Sequence, residues 1–161
     1  MKKLFLLLFA ALLLTVPLVA AEETPVQLQL TMQSDKRVYL KDEPIWVRYT
    51  ITNYSKSDVT IAKVSVSDEM VFAKEGAAAP LVLSAEGYIP EQESGYVILK
   101  PGESIDRKGN LKTIDAFGDG IGKWEFQITE TYDYARTLFP TAFSGKLISN
   151  ILTIIITEEI K

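Results

Sequence analysis

Glu43-Pro44-Ile45-Trp46-Val47-Arg48-Tyr49-Thr50-Ile51-Thr52-Asn53 is the stretch that decides the fold of this chain. Ile45, Val47, Tyr49 and Ile51 recur at every second position and share one face of a strand, while Trp46, Arg48, Thr50 and Thr52 share the other. One apolar and one polar face describe a strand in an antiparallel sheet, half in a core and half in water. The same period recurs outward. Val26, Leu28 and Leu30 alternate with Gln27, Gln29 and Thr31, and Trp124, Phe126 and Ile128 alternate with Glu125, Gln127 and Thr129.

Between these runs lie shorter ones. In Val59 to Val66 the apolar set changes face, Val59 and Ile61 on one side and Val64 and Val66 on the other. A bulge or a change of sheet would produce that switch. Pro80 to Ser84 and Gly95 to Leu99 are further short strands. Ile148 to Thr157 is apolar on both faces around Ile154-Ile155-Ile156, which predicts a strand covered on both sides. Lys100-Pro101-Gly102-Glu103 places Pro and Gly at the centre of a type II turn. Asn53 to Asp58 is a polar connection of hairpin length, and Gly118, Gly120 and Gly122 mark a loop before the Trp124 strand. No amphipathic stretch is long enough for a helix. The expectation is all-β: a single antiparallel β-sandwich of about seven or eight strands.

The N-terminus reads differently. Lys2 and Lys3 precede an apolar run from Leu4 to Leu14, and Val19-Ala20-Ala21 supplies small residues before Glu22-Glu23. That order is a secretory signal peptide. We expect a signal over 1–21 and a domain over 22–161, exported to a periplasm or to the medium and not inserted in a membrane once the signal is cut. The apolar run falls well short of the ~20 residues that span a bilayer. An uncleaved N-terminal anchor is the alternative. The chain has no cysteine, so a disulfide framework and a lipid-bearing cysteine are both excluded. A formal net charge of −4 and the lack of any basic cluster give no electrostatic reason to bind nucleic acid or anionic lipid.

Ser34-Asp35-Lys36-Arg37-Val38-Tyr39-Leu40-Lys41-Asp42-Glu43-Pro44-Ile45 is similar to the opening of bacterial immunoglobulin-like sandwich domains, where a D-K-x-x-Y-x-x-x-E-x-I bend leads into a strand ending in Asn, here Asn53. Gly145-Lys146-Leu147-Ile148-Ser149-Asn150-Ile151-Leu152-Thr153-Ile154 resembles the closing strand of the same class. Leu99 to Ser104 and Gly122 to Phe126 match its turn-then-strand style. The bacterial intracellular proteinase inhibitor domain has this kind of opening, so the resemblance implies an immunoglobulin-like fold and, as one concrete role, proteinase inhibition by an exposed loop. The Asn-Pro-Thr-Thr-Gly loop of chagasin-like inhibitors is absent.

Composition narrows the chemistry. With neither histidine nor cysteine, Ser-His-Asp triads, thiol nucleophiles, and zinc or copper sites built on those residues are impossible in this chain. Carboxylates remain. Glu130 and Asp133 stand at an odd spacing and would face opposite sides of a strand, and Glu91 and Glu93 sit in a loop. Asp115-Ala116-Phe117-Gly118-Asp119-Gly120 offers two acids that could hold calcium, but Ala116 and Phe117 break the alternating oxygen pattern of an EF-hand. We therefore expect no enzyme, no cofactor and no metal.

Binding has better candidates. Tyr132, Tyr134, Arg136, Leu138 and Phe139 lie in one apolar and aromatic segment between the last two strands. Tyr and Arg are side chains that dominate interface energies. The segment is either a recognition loop carried by a rigid frame or a cap on the core. Met70 and Phe72 are either a protruding anchor or part of a short edge strand or helical turn over the core. Trp46, on the polar face of its strand, either packs under a crossing loop or stays exposed as a ligand platform. The expected partner is another protein. The alternatives are a carbohydrate-active role, which needs aromatic rings such as Trp46 and Tyr134 on one face, and an assembly role through an edge strand.

Overall fold

The computed structural model describes residues 26–65, 67–87, 92–111, 120–132 and 142–159. Eleven strands run through them: β1 (Leu28–Ser34), β2 (Val38–Leu40), β3 (Trp46–Asn53), β4 (Val59–Ala62), β5 (Ser67–Lys74), β6 (Leu81–Glu86), β7 (Tyr96–Leu99), β8 (Ser104–Asn110), β9 (Gly122–Tyr132), β10 (Gly145–Ile148) and β11 (Leu152–Thr157). A 3-10 turn at Glu93–Gly95 precedes β7.

The strands form an antiparallel three-stranded sheet, β1-β3-β8, a larger sheet in the order β2-β11-β9-β5-β6 with β10 also on β9, and the hairpin β4-β7. All pairings are antiparallel except β2 with β11. The inward rows of all three meet in one core. Leu30 and Met32 of β1 and Val47 and Ile51 of β3 share it with Phe72 of β5, Trp124, Phe126 and Ile128 of β9, and Ile154 and Ile156 of β11. Phe72 meets Phe126 edge to face, with ring centroids 5.3 Å apart.

The D-K-x-x-Y bend is held by its own side chains. Tyr39 is fully buried and its hydroxyl donates to Asp35; Lys36 pairs with Glu43, whose other oxygen accepts the Leu40 amide at 3.1 Å. Asn53 explains why its strand ends in Asn. Its side-chain amide donates to the Leu99 carbonyl at 2.8 Å and to Ser57 O at 2.9 Å, and its Oδ1 accepts the Ser55 amide, so one buried side chain satisfies a loop and the end of β7.

Several expectations need correction. The connection from Asn53 to Asp58 does not close a hairpin: β3 pairs with β1 and β8, and β4 pairs with β7. The closing segment is two strands. Both pair with β9, and Ser149-Asn150-Ile151 interrupts them with one residue more than β9 has opposite, a bulge. Ile155 is 42% exposed, so β11 is covered on one face only. The strand count exceeds seven or eight because of this break, because the opening bend contains β2, because β8 carries few apolar residues, and because the Met70–Phe72 stretch, expected as an anchor, an edge strand or a helical turn, is the inner strand β5 between β9 and β6. The face switch expected after Ile61 is a change of sheet: the chain leaves the hairpin after Ala62 and enters the larger sheet at Ser67.

Candidate functional site

Along the outer face of the three-stranded sheet, residues from neighbouring strands line up in rows. One row is Gln33, Arg48 and Lys108, contributed by β1, β3 and β8 in direct register. Trp46 lies two residues before Arg48 on the same face and pairs in register with Asn110. At this end of the sheet a groove of about 680 Å³ is lined by Gln33, Ser34, Asp35, Trp46, Arg48 and Lys108, with Val47 beneath. Trp46 is 50% exposed. The polar outward positions of β3 are what leave it there: Val47 and Ile51 commit the opposite face to the core.

The charges of the groove are unbalanced. Asp35 accepts the Tyr39 hydroxyl, and Asp106, the next outward residue of β8, accepts the Thr50 hydroxyl at 2.7 Å. The side chains of Arg48 and Lys108 make no hydrogen bond and no ion pair among the described residues.

A second polar cluster is inside the molecule. The inward row of β9 is Trp124, Phe126, Ile128, Glu130 and Tyr132, all buried. Arg107, on the inward face of β8, reaches Glu130 Oε2 from Nη2 at 2.5 Å and donates to the Tyr132 hydroxyl at 3.0 Å, while that hydroxyl donates to the same carboxylate oxygen at 2.6 Å. Burial pushes the Glu130 carboxyl above its ordinary value, against the pull of Arg107 and the Tyr132 hydrogen bond. Arg107 Nη2, Glu130 Oε2 and the Tyr132 hydroxyl all bond to one another across the two sheets, and that geometry is a cross-sheet clamp.

The residues expected at a binding surface fall in three places. Trp46 is in the groove. Phe72 and Tyr132 are core residues, each 1% exposed, and present no side chain to a partner; Met70 is half-buried against the same core. Tyr134, Arg136, Leu138 and Phe139 lie outside the described residues, as do Glu91, Asp133, Asp115, Asp119 and the 1–21 segment. Sequence reasoning missed Arg48 and Lys108 as site residues. Arg48 carried a signal, a cation on the outward face of a legible strand in a chain of net negative charge; Lys108 did not, because the polar pattern of β8 does not mark a strand.

No family model matches this sequence, and no curated protein matches it. Among solved structures, the chain is similar to a β-glucosidase of Listeria innocua in complex with isofagomine, with TM-score 0.43 and 13% identity over 81% of this chain and 16% of the other. It is similar to the CARDB domain of a Pyrococcus furiosus protein with di-metal ions, with TM-score 0.42 and 11% identity over 83% of this chain and 96% of the other. A β-glucosidase from Erythrobacter marinus gives TM-score 0.44 and 12% identity over 82% and 16%. The chain thus spans about 16% of the length of the two glucosidases it matches.

Proposed function

We propose that this protein is an exported, non-catalytic binding module with a single immunoglobulin-like β-sandwich over 22–161, and that it holds another protein through the Trp46 groove. The observation that carries the reading is Trp46 itself: a large aromatic side chain half in water, at the rim of a groove, with an arginine beside it on the same face. Trp and Arg are over-represented among the residues whose truncation weakens protein interfaces most. The fold supports the architecture, since the three- and six-stranded sheets and the β4-β7 hairpin share one core and the chain passes between them. The absence of histidine and cysteine and the commitment of Glu130 to Arg107 and Tyr132 support a role without catalysis. Proteinase inhibition by a loop is the narrower form of this reading and rests on residues 133–141. A sugar platform needs a second ring beside Trp46; among the described residues of the groove Trp46 is the sole aromatic.

Site-specific photo-crosslinking tests the proposal. A photoreactive residue at Gln33 should trap a discrete protein in cells that make this chain, and the same residue at Glu125, on the outer face of the other sheet, should not. Equal trapping at both positions, or no protein adduct at Gln33, would refute the groove as the contact.

A further inference from the structure

We infer that the groove takes a carboxylate-bearing peptide segment of its partner, with an apolar or aromatic side chain placed against Trp46; this rests on the binding role proposed above and specifies its ligand. Arg48 and Lys108 stand directly opposite one another on adjacent antiparallel strands. Side chains so placed have Cβ atoms about 4.5–5.5 Å apart, and like charges there oppose folding. Neither side chain is in an ion pair among the described residues; the carboxylates of Asp35, in the groove lining, and Asp106, the outward neighbour of Lys108 on β8, accept the Tyr39 and Thr50 hydroxyls instead. Two cations against the single carboxylate of Asp35 leave the groove lining, beside a half-exposed tryptophan, with one positive charge in excess in a chain of net charge −4. An anion between them removes the repulsion, and the planar fork of Arg48 matches a carboxylate.

The edge of the sheet favours a peptide over an acidic sugar. β1 is an edge strand, and its Met32 amide and carbonyl point outward, where the Asn150 side chain accepts from one at 2.7 Å and donates to the other at 3.1 Å. Ser34 lies two residues further along, so its amide and carbonyl leave by the same edge, at the lip of the groove. An extended segment can pair with that outward peptide unit while its acidic side chains meet Arg48 and Lys108.

Calorimetry of the purified protein with three polymers decides the matter: a glutamate–tyrosine copolymer, a lysine–tyrosine copolymer and polygalacturonate. The glutamate copolymer should bind, more weakly as salt rises, and Arg48→Gln with Lys108→Gln should weaken it about tenfold or more. Trp46→Ala should also weaken it. All three substitutions are on the outer face, and cooperative melting at or above the parent's temperature would show that the variants are folded. Equal binding of the lysine copolymer, preference for polygalacturonate, or no binding of the glutamate copolymer would each overturn the inference. If the glutamate copolymer fails while the Gln33 crosslinker still traps a protein, the charge specificity is wrong and the binding role stands; if the crosslinker traps nothing, the role itself falls.

Discussion

Arg107 of the three-stranded sheet and Glu130 of the larger sheet are joined across the core by an ion pair of 2.5 Å, and the Tyr132 hydroxyl bonds to both. In a chain without cysteine this clamp lies where the two sheets must be held together. Its energetics are lopsided. Taking both charges out of water costs nearly what their attraction returns, whereas removing one leaves the other buried and unpaired.

Arg107→Ala should therefore destabilise the fold by about 3–5 kcal/mol, and the double replacement Arg107→Met with Glu130→Leu should recover most of the loss. Urea unfolding of the two variants against the parent checks this. A double replacement no more stable than Arg107→Ala would show that the pair is not a compensated clamp.

Asn150 should protect an edge as well as stabilise. Its side chain closes the outward amide and carbonyl of Met32 in the way a further strand would. Asn150→Ala should cost about 1–3 kcal/mol, the penalty for polar groups left unpaired, and should raise the tendency to associate. Denaturant midpoints and light scattering measure the two effects; a variant equal to the parent in both would contradict the assignment.

The turn between β7 and β8 needs glycine. Gly102 has φ of 81°, and the Glu103 amide closes the turn on Lys100 O at 2.9 Å. A Cβ at Gly102 would meet no atom within 4 Å, so the cost of Gly102→Ala is conformational alone, about 1 kcal/mol. Pro101→Ala, which keeps the turn accessible, should cost less. Thermal melts rank the two, and the opposite order would count against the turn geometry.

Alkali should unfold the protein. Burial, with Glu130 and Asp68 beside it, pushes Tyr49 up to about 12; burial and the Asp35 hydrogen bond do the same for Tyr39; burial and Glu130 raise Tyr132 further. The unfolded chain releases these protons near the ordinary value of 10 while the folded chain retains them. Stability is thus full below 10 and falls as pH rises toward 12. The urea midpoint should drop between about pH 8 and about pH 11, with phenolate absorbance rising at the unfolding transition. A midpoint constant over that range would exclude protected tyrosines.

How much of this was legible in the sequence depended on which side chains occupied the inward positions. β3 and β9 declare themselves because Val47 and Ile51, and Trp124, Phe126 and Ile128, mark the period. The strand β8 does not, since its central inward residue is Arg107, not an aliphatic one, and the pattern reads as polar throughout. Glu130 follows the β9 alternation into the core, but a carboxylate there is intelligible only once its partner from β8 is known. The three residues of β2 owe their pairing to β11, more than a hundred residues away, and no local pattern reports that. Trp46 could be placed on the polar face from sequence alone. Its groove could not, because Gln33, Arg48 and Lys108 come together through the register of three strands.

The most direct measurement is acrylamide quenching of tryptophan fluorescence, with and without the protein trapped at Gln33, re-expressed and added to saturation. The chain has two tryptophans, Trp46 half exposed and Trp124 buried with its indole nitrogen donating to Gly120 O at 2.7 Å. Contact at the groove should remove the quenchable fraction, which is Trp46, in the complex, and that fraction should be absent in Trp46→Ala. Quenching that persists unchanged while the partner is bound would place the contact elsewhere on the molecule.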